Sequence, residues 1–184
     1  MPPAGKDFDE RLALFQFNAK DLRANFELLA GPAELADRLA ALAKEEGWKK
    51  VAFHEGELTT PACQGLELSL LRTDQPYQTT ELETCDAGVS QCEALVAQTG
   101  SVVVSAKGNG GRAISVLPPH HVVLARRDQL VGDLAEAIAL VKARYAGGFP
   151  SMISFITGPS RTGDIERILV LGAHGPKKLT ILCV

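Results

Sequence analysis

Short apolar runs of strand length alternate with longer segments of helical period, and this alternation constrains the fold more than any other feature of the chain. Lys50–His54 (KVAFH), Ser101–Ser105 (SVVVS), Ala113–Leu117 (AISVL), His121–Ala125 (HVVLA), Ser151–Thr157 (SMISFIT) and Leu179–Val184 (LTILCV) read as strands. Glu67–Leu71 alternates and reads as a further strand. Phe15, Leu22, Phe26 and Leu29 fall on one face of a helix over residues 11–30. Gly31-Pro32 breaks that pattern, and Pro32 suits the first turn of a second helix with a Leu35, Leu39 and Leu42 stripe and a stop at Gly47. Ser90 to Glu93 has the S-x-x-E form of a capping box and predicts a short helix ending before Gly100. Leu130, Leu134, Ala137, Ile138, Val141 and Tyr145 give the clearest amphipathic helix, closed by Gly147-Gly148. Residues 55–65 read as turns and 72–84 as a surface loop. Residues 106–112 read as a hairpin loop joining Ser101–Ser105 to Ala113–Leu117, and Asp164–Leu171 as a short helix. Helices and strands that alternate around a β-rich middle predict an α/β fold, a mixed sheet sandwiched by helices. It forms one domain over residues 11–184, after a loose tail at 1–10.

Composition narrows the function classes. A chain of 184 residues is the size of one domain with a full core. Its formal charge is -3 and no stretch is strongly basic, which argues against a general nucleic-acid binder. No apolar run approaches the ~18 residues of a membrane span, and MPPAGKDFDE lacks the apolar centre of a signal peptide. The 4 cysteines (Cys63, Cys85, Cys92, Cys183) are scattered, with no C-x-x-C pair and no metal-like spacing to a histidine. They read as reduced thiols of a cytoplasmic protein, without the clustered pattern of an iron–sulfur site. The expectation is no metal and no cofactor bound by this chain alone.

The candidate chemistry gathers at one edge, Gly158 to Pro176. Thr157-Gly158-Pro159-Ser160-Arg161-Thr162-Gly163-Asp164-Ile165-Glu166 follows an apolar strand and enters the expected helix. Ligands of open α/β sheets sit beyond the carboxyl ends of strands. Here Ser160, Arg161 and Thr162 offer donors beside exposed helix N–H groups. Asp164 and Glu166 favour the helix dipole in any case, and they oppose a bare phosphate unless Arg161 or a cation offsets them. The bland alternative is a well-capped strand-to-helix loop. His174, between turn-forming Gly172-Ala173 and Gly175-Pro176, is a candidate general acid or base, or else a turn histidine holding its own backbone. Thr99, Gly100 and Ser101, where the expected helix turns into a strand, form either a backbone anion cradle or a tight helix stop. The glycines at 108–111 match neither G-x-G-x-x-G nor a P-loop. His120 and His121 are adjacent, so on a strand they point to opposite faces and cannot share one metal.

Three blocks together resemble the LUD domain, specifically the lactate utilisation protein C family. They are Gly88-Val89-Ser90 through Ala97-Gln98-Thr99-Gly100-Ser101, Leu117-Pro118-Pro119-His120-His121-Val122-Val123, and Gly158 to Glu166 followed by Gly172-Ala173-His174-Gly175-Pro176. The last is long, ordered and specific. Two positions depart from the family: Gln98 stands where an acidic residue is usual, and Gly163 where alanine is usual. The resemblance implies a three-layer α/β/α fold similar to the NagB/RpiA/CoA-transferase superfamily and a role in oxidising L-lactate to pyruvate. It further implies that partner proteins carry the iron–sulfur clusters, and it leaves open whether this chain is catalytic or a non-redox subunit. On that reading Thr99, Gly100, Ser101, Ser160, Arg161 and Thr162 bind a small anionic ligand or a partner. Asp164, Glu166 and His174 are the acid–base groups. The alternative from fold analogy is a stand-alone enzyme acting on a phosphorylated or acyl-carrying metabolite.

Overall fold

The computed structural model describes residues 4–108, 112–162, 170–171 and 175–184. The chain runs α1 (Phe8–Asp21), β1 (Asn25–Leu28), α2 (Pro32–Glu45), β2 (Lys50–Phe53), α3 (Thr59–Gln64), β3 (Ser69–Arg72) and α4 (Thr79–Glu83). It continues through β4 (Ala87–Gln91), β5 (Ala94–Val96), β6 (Ser101–Ser105), β7 (His120–Ala125), β8 (Leu130–Val131) and α5 (Leu134–Arg144). The last elements are β9 (Ile153–Ile156), β10 (Arg161–Thr162), β11 (Val170–Leu171) and β12 (Lys178–Cys183). The α/β architecture follows the sequence, but the strands divide between sheets. A parallel six-stranded sheet has the order β1-β12-β7-β4-β2-β3, a second sheet has the order β8-β5-β6-β9, and β10 pairs with β11.

Both faces of the parallel sheet are buried, which is why its strands read as continuous apolar runs. On one face, Val51, Phe53, Val122, Leu124 and Leu182 meet Leu35, Leu39 and Leu42 of α2 and Ala62 and Cys63 of α3. On the other, Val123, Ala125, Leu179 and Ile181 meet Phe15 and Ala19 of α1 and Leu95, Val102 and Val104 of the second sheet. The second sheet turns Ala94, Val96 and Val103 outward onto Ala137 and Val141 of α5. Each large apolar side chain buried in these layers stabilises the fold by about 1.5–3 kcal/mol relative to its exposed state.

Several expectations are corrected by pairing between distant segments. The helix expected over 11–30 ends at Asp21, Arg23 turns the chain with φ 63, and Phe26 belongs to β1, held by parallel pairing to β12. The capping box at Ser90 opens no helix. Residues 87–91 and 94–96 are strands, with β4 pinned between β2 and β7. Ala113–Ser115 is a 3-10 turn rather than a strand, so no hairpin joins it to β6, which pairs with β5 and β9 instead. The amphipathic helix begins at Leu134, because Leu130 and Val131 pair with Leu95 and Val96. Leu134 and Ile138 of the predicted stripe are exposed. Short helices α3 and α4 occupy stretches read as turns and loop. Val170 and Leu171, placed in the expected 164–171 helix, form β11, and residues 163–169 lie outside the described residues.

Candidate functional site

The second sheet places Thr99, Gly100 and Ser101, while Arg161 and Thr162 lie in the separate β10–β11 pair. β5 and β6 form an antiparallel pair with Val96 opposite Ser101, so residues 97–100 are a strand-to-strand turn rather than the end of a helix. The Gly100 N–H donates to the Val96 carbonyl at 2.9 Å, and Gly100 has φ +63. A Cβ there would lie 2.9 Å from backbone atoms of Asn18 and Ala19. Glycine is therefore required on both conformational and steric grounds. The Asn18 amide of α1 clamps the same turn by donating to the carbonyls of Ala97 at 2.8 Å and Gln98 at 3.1 Å.

β9 lies antiparallel to β6, with Val102 opposite Ile156, and this brings Thr157 beside Ser101. A row of three hydroxyls results. Thr99 Oγ1 donates to Ser101 Oγ at 2.8 Å, and Ser101 Oγ lies 2.8 Å from Thr157 Oγ1. The chain then turns at Gly158, φ +82, where a Cβ would sit 2.6 Å from the Leu22 carbonyl oxygen. The Ser160 N–H donates to the Pro176 carbonyl at 2.9 Å, and Arg161 and Thr162 pair with Leu171 and Val170. Thr99, Gly100, Ser101 and Ser160 thus stand along one edge, joined through Thr157. Asp164, Glu166 and His174 lie outside the described residues.

This edge differs in one respect from the sequence argument. The Lys177 and Lys178 N–H groups donate to the Pro119 carbonyl, just before β7. Residues 175–177 therefore lead into the amino ends of β7 and β12. The edge lies beside the amino side of the parallel sheet, and the carboxyl-end rule does not supply its warrant. The reason is that β9 belongs to the second sheet.

The parallel sheet has its own switch point, between β2 and β4. There the end of β4 bonds to the segment that follows β2. Gln91 Oε1 accepts from the Leu58 N–H at 2.8 Å, and a Cβ on Gly56 would lie 2.5 Å from the same oxygen.

Sequence reasoning missed the most deeply buried carboxylate among the described residues. Glu93 is 1% exposed. Its carboxylate accepts from Ser105 Oγ at 2.6 Å and from the Tyr145 hydroxyl at 2.7 Å, and it pairs with Arg144. Burial leads the causes that raise the Tyr145 pKa, so the phenol stays a donor. The available signal was a lone carboxylate inside the apolar stretch 87–97, because a buried charge demands partners.

The adjacent histidines are both buried and serve opposite faces. His120 Nε2 meets Thr180 Oγ1 at 2.8 Å, and its ring packs edge-on against Trp48 at 5.2 Å. His121 Nε2 meets Ser90 Oγ at 2.8 Å. Desolvation by burial lowers their pKa values to about 4 and about 3, so both are neutral near pH 7.

All four cysteines are free and buried, in three separate core clusters. Burial pushes the Cys63 thiol up to about 12 and Cys183 to about 11, and raises Cys85 and Cys92 as well. Thiols so placed are poor candidates for ligating an iron–sulfur cluster, which needs converging thiolates. Among the described residues, no helix is long and apolar enough to cross a membrane.

A sequence model of the LUD domain matches residues 18–184. A lactate utilization protein C from Deinococcus radiodurans is 32% identical over 118 residues, covering 64% of this chain and 55% of that protein. The protein of the same name from Bacillus subtilis is 34% identical over 104 residues, covering 55% and 43%. That from Shouchella clausii is 30% identical over 142 residues, covering 74% and 60%. The matched segments thus span about half the length of these relatives. The crystal structure of a DUF162 family protein from Deinococcus radiodurans superposes with a TM-score of 0.74 at 23% identity, covering 98% of this chain and 99% of that one. That likeness concerns the fold.

Proposed function

The chain belongs to the LUD domain family, and from that premise we propose that it is a cytoplasmic component of an L-lactate utilisation system that oxidises lactate to pyruvate. Iron–sulfur partner proteins carry the electrons, and this chain binds a small anionic ligand or those partners along its Thr99–Ser101 and Ser160–Thr162 edge. The observation that carries the reading is the family match over residues 18–184, together with relatives named for lactate utilisation. The edge supports it physically. Thr99, Ser101 and Thr157 are joined by hydrogen bonds, Ser160 is held to Pro176, and Gly100 and Gly158 are fixed where no Cβ fits. Such preorganisation lowers the ordering cost of binding.

In this role Arg161 supplies positive charge to the ligand, and Asp164, Glu166 and His174 are the acid–base groups. The buried thiols fit a chain that leaves cluster ligation to its partners. The test is growth of a deletion strain on L-lactate as sole carbon source. Loss of growth, restored by the intact gene, is expected. Undiminished growth in a strain without a redundant pathway overturns the proposal.

A further inference from the structure

Thr99, Ser101 and Thr157 also line a cavity of about 390 Å³ whose other walls are Leu134 and Ile138 of α5 and Phe155 of β9. A second cavity of about 250 Å³ adjoins it through Ile138 and Phe155 and runs on to Phe149 and Lys142. Leu134, Ile138, Phe149 and Phe155 are all exposed there, against the general tendency of large apolar side chains to be covered. Small-molecule sites occupy about 300–1,000 Å³ and pair apolar walls with a few placed polar groups. A three-carbon hydroxy acid would leave most of this trough empty, and at the hydroxyl row it would put a carboxylate among described walls of the larger cavity that carry no charge.

Among the described residues, the hydroxyl row has one donor to spare. Three hydroxyls carry three protons, and the two contacts among them consume two. If Ser101 donates to Thr157, the Thr157 proton is left over; if Thr157 donates to Ser101, the Ser101 proton is. Either way a single neutral donor stands at the head of the apolar trough, and no described wall residue of the larger cavity is cationic.

We infer that this trough binds a neutral amphiphile, a carbonyl-bearing head on the Thr99–Ser101–Thr157 row with an aromatic or aliphatic body against Leu134, Ile138 and Phe155. The site shares Thr99 and Ser101 with the edge described above and rests on reading them as ligand-binding residues. It does not rest on the lactate role. A neutral head is favoured because a carboxylate would lose its hydration and gain only one uncharged donor. The anionic ligand of the wider edge therefore belongs toward Ser160 and Arg161.

Calorimetric titration of the full chain with 2-acetylnaphthalene, with its carboxylate counterpart 2-naphthoate, and with sulfate tests this directly. The neutral ketone is expected to bind, and more tightly than the carboxylate. Ile138→Asp abolishes that binding, and Phe155→Ser repeats the loss should Ile138→Asp fold poorly. Thr157→Val weakens it about fivefold, the loss of one neutral hydrogen bond, while Arg161→Ala leaves it unchanged. No binding of the ketone, tighter binding of the carboxylate, or binding indifferent to both trough variants overturns the inference. Sulfate reports separately on the edge: sulfate binding lost in Arg161→Ala while the ketone fails to bind leaves the edge standing and removes the trough.

Discussion

The two ends of β6 carry two polar clusters built on opposite plans. At its start, Ser101 sits in a row of neutral hydroxyls beside exposed apolar walls, with one proton unspent. At its end, Ser105 donates to the buried Glu93 carboxylate, which Tyr145 and Arg144 also saturate. The Gly108 N–H donates in turn to Ser105 Oγ at 3.0 Å, tying the following loop to the same network. A saturated buried network holds elements together, here the β4–β5 connection, β6 and the end of α5. An unsaturated row at a cavity wall is arranged for something that arrives. The comparison separates scaffold from site more sharply than residue type does, since both clusters use serine.

The largest effect that can break this contrast lies at the saturated end. Glu93→Ala leaves the Tyr145 and Ser105 hydroxyls without their shared acceptor and frees the part-exposed Arg144 guanidinium, and is expected to cost about 3 kcal/mol in urea unfolding. Glu93→Gln keeps the shape and one acceptor and costs less. A Glu93→Ala protein as stable as wild type would remove the scaffold role.

The turn that positions the other end comes next. Gly100→Ala is expected to cost about 2 kcal/mol, because a left-handed backbone is combined with a Cβ pressed on α1. Gly47 has a similar φ of +68 but open space around it, so Gly47→Ala is the control and is expected to cost about 1 kcal/mol. Equal losses would show that the close approach of α1 adds nothing to conformational strain.

Acidification probes the scaffold a third way. His120 and His121 titrate at about 4 and about 3 when folded, against an ordinary value of 6.5. The unfolded chain thus takes up protons first. Their contribution is fully present above pH 6.5 and is lost as pH falls from there toward the folded values, at up to about 1.4 kcal/mol per pH unit for each group. Melting temperature followed from pH 7 to pH 4 is expected to fall, and less steeply in His121→Asn. An unchanged slope in that variant would deny the coupling. The smallest effect belongs to the open row, where Thr99→Val is expected to cost no more than about 1 kcal/mol of stability.

The parts of the fold legible in the sequence were those whose signal is local and continuous. The runs at 50–54, 101–105, 121–125 and 179–184 all coincide with strands, because both faces of their sheets are covered. Pro32 and the Leu35–Leu39–Leu42 stripe gave α2 for the same reason. The failures share a different cause. Phe26 continues the period of α1 by coincidence, and only its pairing opposite Ile181 of β12 decides that it is in a strand. Ser90 and Glu93 have the spacing of a helix cap, yet one meets His121 and the other Arg144, both distant in sequence. At the site, residue types picked out Thr99, Gly100, Ser101 and Ser160. Thr157 heads the candidate segment but is not among the predicted binding residues, and its place beside Ser101 emerges only from the β6–β9 register.

The claim that this edge serves lactate utilisation is tested most directly by complementation. A deletion strain carrying the Ser160→Ala/Arg161→Ala chain, with its abundance and melting temperature matched to wild type, is grown on L-lactate. The account predicts that this folded variant fails to restore growth, and full restoration would contradict it.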